Sequence, residues 1–536
     1  MNPTWSWRRV VGLVLALAWL HTLAVLPLHD PALWATAATA LPPDLLLLLA
    51  VAVIGGAAGW PKRIAHVAAF GMLVSTFSRV CEVVSVLAFQ KAFELADLPR
   101  LHGLFDAWAN KAPTWERWAW GGALVALVVV LLWVTSRAFR AVARTAMRPR
   151  VAGCWLFVLQ ALVLLGLLCP QRPFEPSPLR LLAGRSWDAL RLWIDRDAVL
   201  APLRLEIAAG ERRMRETPHD LQRLDGADVY LLVLESYGRV ALRHPQTGPD
   251  VRALLAGFEA DLRRRGLASC SSAIAPAVKG GGSGLAHAEL LTGVRVPTER
   301  VRAMLMQSGL VALPKRFREA GYGTFELLPG MPIHWPEGDA FYGVDRSIIQ
   351  SELGYDGTRY DFGQMPDQFA LQRLLERVVV PAERPVFAMF VGVSSHAPWS
   401  AIPPFVDDWQ IDERTFLGGP ATTHDVQYLS MFRDPDVLPA YVDSLGYVLR
   451  TSFGFAARLE RPSIVVVLGD HQPPIAASVS PPDRSFDVPV HLVSNRPELL
   501  DPWRAQGFTD GLDVPDATVA WPMAEFAVRL LRAYSR

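Results

Sequence analysis

The chain has 536 residues, 51% of them hydrophobic, and 53 basic against 52 acidic side chains leave a formal net charge of +1. That balance removes the electrostatic case for a nucleic-acid partner, and there is no zinc-finger spacing, P-loop or basic aromatic-interleaved stretch to supply another. The length exceeds one ordinary core. Of four cysteines, Cys81, Cys154 and Cys169 lie in the apolar first third and Cys270 stands alone beyond it, so a disulfide-stapled secreted scaffold is excluded.

Five apolar segments open the chain: Val10–Leu28, Asp44–Trp60, Ile64–Phe89, Ala119–Thr135 and Val151–Cys169. Each approaches the roughly 20 residues that a helix needs to cross a bilayer core, so residues 1–170 are expected to form a membrane domain of five helices. Arg8 and Arg9, then Lys62 and Arg63, then Arg137, Arg140, Arg144, Arg148 and Arg150 fall in alternate connections. The positive-inside rule places these in the cytoplasm. The amino terminus is then inside and everything after Cys169 outside. The first segment reads as an anchor rather than a cleaved signal because its apolar run is long. Arg79 and Glu82, three apart within the third segment, are expected to pair on one helix face.

Pro170–Pro178 is proline-rich, and Ser186–Leu224 has the pattern of an arginine-rich amphipathic helix. Residues 171–225 are therefore expected to be a linker at the membrane surface. From Asp228 onward, short aliphatic runs alternate with helical stretches. Strands are expected at Val229–Leu234, Thr324–Leu328, Val386–Val393, Ser463–Leu468 and Val488–Val493. Helices are expected at Pro249–Gly266, Gly284–Thr292, Leu310–Ala320, Pro366–Val378 and Val437–Leu459. Continuous aliphatic strands alternating with helices define an α/β domain, residues 226–536, with a mostly parallel sheet covered on both faces. Sites in such sheets lie beyond the carboxyl ends of the strands.

Candidate ligands stand at those ends. YLLVLE delivers Glu235, and VVVLGDH delivers Asp470 and His471 after a glycine that permits a sharp turn. Carboxylates with an imidazole suit zinc or manganese better than calcium. Gly280–Gly284 precedes a helix and carries Ser283, placed where free N–H groups and the helix dipole favour an anion. A metal held by Glu235, Asp470 and His471 would activate Ser283 as a nucleophile. Lys279 beside it is a candidate anion contact. His396 ends another strand and is a candidate proton donor to a leaving group.

The order strand-Glu, glycine-rich nucleophile loop, strand-His, strand-Gly-Asp-His resembles the alkaline phosphatase and sulfatase superfamily. SGLAHAELLTG at Ser283–Gly293 keeps the sulfatase spacing to Leu291-Thr292-Gly293, but Leu285 and His287 replace its proline and arginine, so an unmodified Ser283 is expected. Five spans before such a domain resemble lipoteichoic acid synthase and the related phosphoglycerol and phosphoethanolamine transferases. The resemblance implies Glu235, Ser283, Asp470 and His471 as metal ligands, with Ser283 the nucleophile and His396 a substrate histidine. It also implies His334, Trp335 and Tyr342, with Lys279 and His287, as substrate contacts. The implied ion is divalent, with manganese favoured and zinc or magnesium the alternatives. The implied donor is a membrane phospholipid and the implied acceptor an envelope glycan or lipid. The absence of external disulfides favours phosphoglycerol over phosphoethanolamine. The implied location is the inner (cytoplasmic) membrane, with the catalytic domain periplasmic or extracellular. A tethered sulfatase or phosphodiesterase using water, and a non-catalytic glycan-binding protein, are the rival readings.

Overall fold

The computed structural model describes residues 7–25, 42–89, 114–168, 196–362, 365–412, 414–420, 422–426, 436–477 and 479–536. The chain divides into two compact units, with the boundary between Val199 and Leu200.

The first unit is helical: α1 Trp7–Val25, α2 Pro43–Ala57, α3 Pro61–Phe89, α4 Thr114–Thr145 and α5 Pro149–Leu168. Each expected apolar segment coincides with one of them. Two hold stretches long and apolar enough to cross a membrane, Pro61–Cys81 and Trp118–Thr145. Val10–Ala24, Asp44–Ala57 and Pro149–Leu162 are shorter apolar stretches. The helices meet through small residues: Ala52, Ala65, Ala68, Ala69 and Ala146 are buried with Met72 and Phe139. A methyl group on Gly56 would strike the carbonyl of Ala143, so α2 and α4 touch backbone to backbone there. Buried Asp44 accepts a 2.5 Å hydrogen bond from Ser75. Leu124, Val125, Val128, Val129 and Trp133 on α4 face outward, an apolar surface of the kind that lipid covers. The expected Arg79–Glu82 pair falls where the Glu82 side chain is outside the described residues.

The second unit is built on a mixed sheet. Its strands are β1 Asp228–Leu234, β2 Ala268–Ala275, β3 Gly323–Leu328, β4 Arg346–Ile349, β5 Val386–Val391, β8 Ser463–Gly469 and β9 Val488–Ser494, with two-residue β10 Thr509–Asp510 and β11 Trp521–Pro522. The strands β6 Ala401–Ile402 and β7 Thr422–Thr423 form a separate pair. The main order is β10-β2-β9-β8-β1-β5-β3-β4, with β11 on β2. The five strands from β8 to β4 run parallel, whereas β9 is antiparallel to β8 and β2 antiparallel to β9. The parallel reading therefore holds for one half of the sheet and fails at the other. The five expected strands all form. β2 escaped because ASCSSAIA carries small and hydroxyl side chains instead of an aliphatic run, and β4 is only four residues long.

Alternation explains the aliphatic run of β1. Tyr230, Leu232 and Leu234 enter the core on one face, and Val229, Leu231 and Val233 the core on the other. Register then sets the site. Leu234 pairs with Gly469, so the residues that follow, Glu235 and Asp470, leave the sheet side by side. Val233 pairs with Val391, which brings the His396 loop to the same end.

Of the expected surface linker, residues 171–195 lie outside the described residues, and the part from Leu200 packs within the second unit. Helix α6, Arg196–Glu216, inserts Ile207 and Met214 into the second core with Leu221 and Leu224. Arg316 Nη2 donates to the Met214 carbonyl at 3.0 Å, and Arg213 Nη2 to that of Gly293 at 3.1 Å. From Leu200 onward the segment belongs to the α/β unit. An amphipathic pattern states that one face is covered and does not state by what.

β9 also buries His491. Ser271 donates its hydroxyl to the Gly511 carbonyl at 2.7 Å, so the 2.8 Å contact to His491 Nδ1 has the imidazole as donor. Nε2 then accepts from the Tyr237 hydroxyl at 2.9 Å. Burial holds this imidazole down to about 3. An unfolded histidine protonates near pH 6.5, so between those values the unfolded state carries a proton that the folded state refuses. Stability is therefore full above pH 6.5 and falls as pH drops towards 3, by at most about 1.4 kcal/mol per unit. Chemical denaturation of His491→Gln between pH 7 and 4 should show a shallower decline than wild type. An unchanged decline would contradict the assignment.

Candidate active site

Helix α7, Ser283–Thr292, begins directly after the glycines, and the Gly282 carbonyl accepts from Leu285 and Ala286 N–H at 2.8 and 3.1 Å. Ser283 is thus the first helical residue. Its hydroxyl donates to Glu235 Oε2 at 2.9 Å and lies 3.2 Å from His471 Nε2. His471 Nε2 is 3.4 Å from both Glu235 Oε1 and Asp470 Oδ2. Ligand atoms of Glu235, Asp470 and His471 all lie within 4.8 Å of one another, and all three residues are buried.

The backbone fixes this set. Asp470 Oδ1 accepts from the N–H groups of Ser236 at 2.8 Å and His471 at 2.7 Å, leaving Oδ2 for the centre. Ser236 Oγ donates to Glu235 Oε1 at 2.9 Å, and Ser395 Oγ to the Glu235 carbonyl at 2.6 Å. The Tyr441 hydroxyl donates to the Ser236 carbonyl at 2.8 Å. His471 Nδ1 lies 2.9 Å from the Gln472 carbonyl, which can only accept. The proton is on Nδ1, and Nε2 presents a lone pair to the centre, as a metal-ligating histidine requires. Gly469 serves a purpose other than a turn: a methyl group there would lie 2.0 Å from the Tyr237 carbonyl, so only glycine lets the two strand ends close up.

Burial alone would raise Glu235, but the charges of His471 and His396 and hydrogen bonds from Ser236 and Ser283 bring it well below the usual range. Burial and the charge of Glu235 push Asp470 upward. Burial opposes protonation of His471, yet Asp470 and Glu235 outweigh it and raise its pKa. Two carboxylates thus draw a proton to the place where a cation would sit. With hard oxygen donors, one imidazole lone pair and no lysine or arginine among them, the residues fit a divalent metal.

His396 follows β5. Its Nδ1 donates to the Ala397 carbonyl at 2.7 Å, and its ring stacks on Phe362 at 3.8 Å. His287, one helical turn after Ser283, has a solvent-shielded Nε2 with no hydrogen-bond partner among the described residues. Burial lowers its pKa to about 4, against the pull of Glu235, so a neutral imidazole stands beside the ligand set.

Other expected contacts are placed differently. Lys279 Nζ donates to the Asp483 carbonyl at 2.9 Å and ties one loop to another. Tyr342 is buried in the second core with its ring against Phe341, which leaves no face for a substrate. His334 pairs with Glu352 at 3.5 Å. Trp335 is half-buried and lies under Arg302, whose guanidinium carbon is 5.5 Å from the ring centroid. Arg302 itself gave no sequence signal, being one of many helix arginines. A cavity of about 750 Å³, lined by Arg213, Arg223, Arg295, Arg529 and Arg532, shares no residue with this site.

Parallel strands thus end in a carboxylate–carboxylate–imidazole set opposite a serine that opens a helix. The sequence matches no protein-family model and no curated protein. Among solved structures, the chain is similar to the integral membrane protein lipooligosaccharide phosphoethanolamine transferase A from Neisseria meningitidis, at 13% identity and TM-score 0.47 over 98% of this chain and 95% of that one. It is similar to the phosphoglycerol transferase GacH from Streptococcus pyogenes, solved with sn-glycerol-1-phosphate, at 14% identity and TM-score 0.39 over 62% and 82%. It is also similar to the lipoteichoic acid synthase LtaP from Listeria monocytogenes, at 13% identity and TM-score 0.37 over 57% and 72%.

Proposed function

We propose that this protein is a membrane-anchored, metal-dependent phosphotransferase. It moves a phosphoryl head group, phosphoglycerol in preference, from a membrane phospholipid through Ser283 to an envelope glycan or lipid. The carrying observation is the position of Ser283 Oγ at the start of a helix, 2.9 Å from Glu235 and 3.2 Å from His471. The apolar helices of the first unit support a lipid donor, which a water-soluble hydrolase would not need. The alternation of arginine-rich connections supports an amino terminus inside and a catalytic unit outside.

Glu235, Asp470, His471 and Ser283 would hold the cation. Manganese is favoured, and the bound ion supplies the charge that lowers the serine pKa. Ser283 Oγ attacks phosphorus, forming the Oγ–P bond as the bond from phosphorus to the diacylglycerol oxygen breaks. N–H groups at the start of α7 face the phosphoryl oxygens. His396, protonated at Nε2, gives that proton to the departing oxygen. In the second half the acceptor hydroxyl gives its proton to His396 and its oxygen displaces Ser283.

Incubating the full chain in vesicles of labelled phosphatidylglycerol tests this. Metal-dependent release of diacylglycerol is expected, and its absence with metal bound would contradict the reading. His396→Ala should lower the rate about 10²–10⁴-fold on phospholipid. A p-nitrophenyl phosphodiester, whose leaving group needs no proton, should lose far less. Equal losses on both donors would remove the acid role.

A further inference from the structure

We propose that Arg302 selects the head group, favouring one that carries hydrogen-bond acceptors and no positive charge over one that ends in an ammonium; this rests on the phosphotransfer reading above. Arg302 lies on the helix Glu299–Met306, which Thr298 caps by accepting from Val301 N–H. The guanidinium is fixed on two sides. Nε donates to Glu299 Oε2 at 2.7 Å. The plane lies over Trp335, 5.5 Å from the ring centroid. With Nε engaged by Glu299, Nη1 reaches the nucleophile helix: a Cβ on Gly284 would lie 3.3 Å from it. Gly284 is the residue after Ser283 and is exposed, and the Arg302 side chain keeps 28% of its surface open. A guanidinium therefore stands beside Gly284, the residue next to the nucleophile in the chain, held by Glu299 and Trp335.

Its chemistry decides what it tolerates. Arginine is donor-only and permanently charged. A glycerol hydroxyl offers lone pairs to Nη1 and Nη2. An ethanolamine ammonium offers none, and brings a second positive charge to the same place. The Glu299 carboxylate on the same helix is already engaged by Nε. The discrimination comes from repulsion of the wrong head group as well as attraction of the right one.

The test is calorimetric binding of sn-glycerol 3-phosphate and of phosphoethanolamine to the manganese-loaded full chain. Wild type should bind the first at least tenfold more tightly. Arg302→Ala should bring the two within about threefold, while Arg302→Lys, still cationic and acceptor-free, keeps the preference. Equal wild-type affinities, no binding of either compound, or a preference that survives in Arg302→Ala with thermal midpoint unchanged would overturn the inference. Preference without any phosphorylated Ser283 would remove the transfer reading alone, because these ligands need no turnover. Phosphorylated Ser283 without preference would remove the Arg302 inference alone.

Discussion

Replacing Ser283 with alanine is expected to lower head-group transfer by more than about 10⁴-fold, the scale seen when a covalent nucleophile is lost. Among the described residues its hydroxyl meets Glu235, His471 and Asp470, so the fold loses little. Asp470 keeps its backbone donors Ser236 and His471, and Glu235 keeps Ser236. The variant should still bind metal through Glu235, Asp470 and His471, with weaker affinity. Ser283→Thr keeps an oxygen at the same position and should retain measurable transfer, since the first helical position has no preceding turn for a branched side chain to crowd. Rates of diacylglycerol release, with metal content measured on the same samples, check this. Alanine at 283 with near-normal turnover would remove the covalent scheme.

Asp470→Asn is expected to weaken metal-dependent behaviour by a different route. The amide oxygen can still accept from Ser236 and His471 N–H groups. Its NH₂ then points where Oδ2 faced the centre, replacing a negative donor atom with N–H groups. Loss of a ligand should cost at least the roughly 10–100-fold in affinity that supporting residues cost. Linkage makes this visible without turnover. A cation at 100 times its dissociation constant stabilises the folded state by about 2.7 kcal/mol. Wild type should therefore melt higher on titration with manganese, and Asp470→Asn should gain about half as much or less at that concentration. Without metal, the variant should be at least as stable as wild type, because it removes one of two buried carboxylates that raise each other's cost of ionisation. A variant that still gains stability with manganese like wild type would contradict the ligand assignment.

The parts of this account that were legible in the sequence are those with strong local signals. β1 and β8 are unbroken aliphatic runs ending in acid, and parallel register makes their ends neighbours. The glycine run before Ser283 marks a helix start that the chain adopts. What escaped depends on tertiary context. β2 lacks an aliphatic run because β9 and β10 flank it and its hydroxyls bond His491 and Gly511. Tyr342 and Trp335 look alike as aromatic residues in one short segment, yet one is buried core and the other carries Arg302. Ser236, Ser395 and Tyr441, which hold the ligand set in place, are polar residues of ordinary sequence context. The glycine of Gly-Asp-His was readable as a glycine, but the Tyr237 carbonyl that demands it lies 232 positions away in the chain.

The most direct test of the central claim is intact-mass spectrometry of the full chain after incubation with phosphatidylglycerol and manganese, followed by peptide mapping. The account predicts a glycerophosphate adduct on Ser283, absent in Ser283→Ala and absent when the metal is chelated. Consumption of phospholipid with metal bound and Ser283 unmodified at every time point would contradict it.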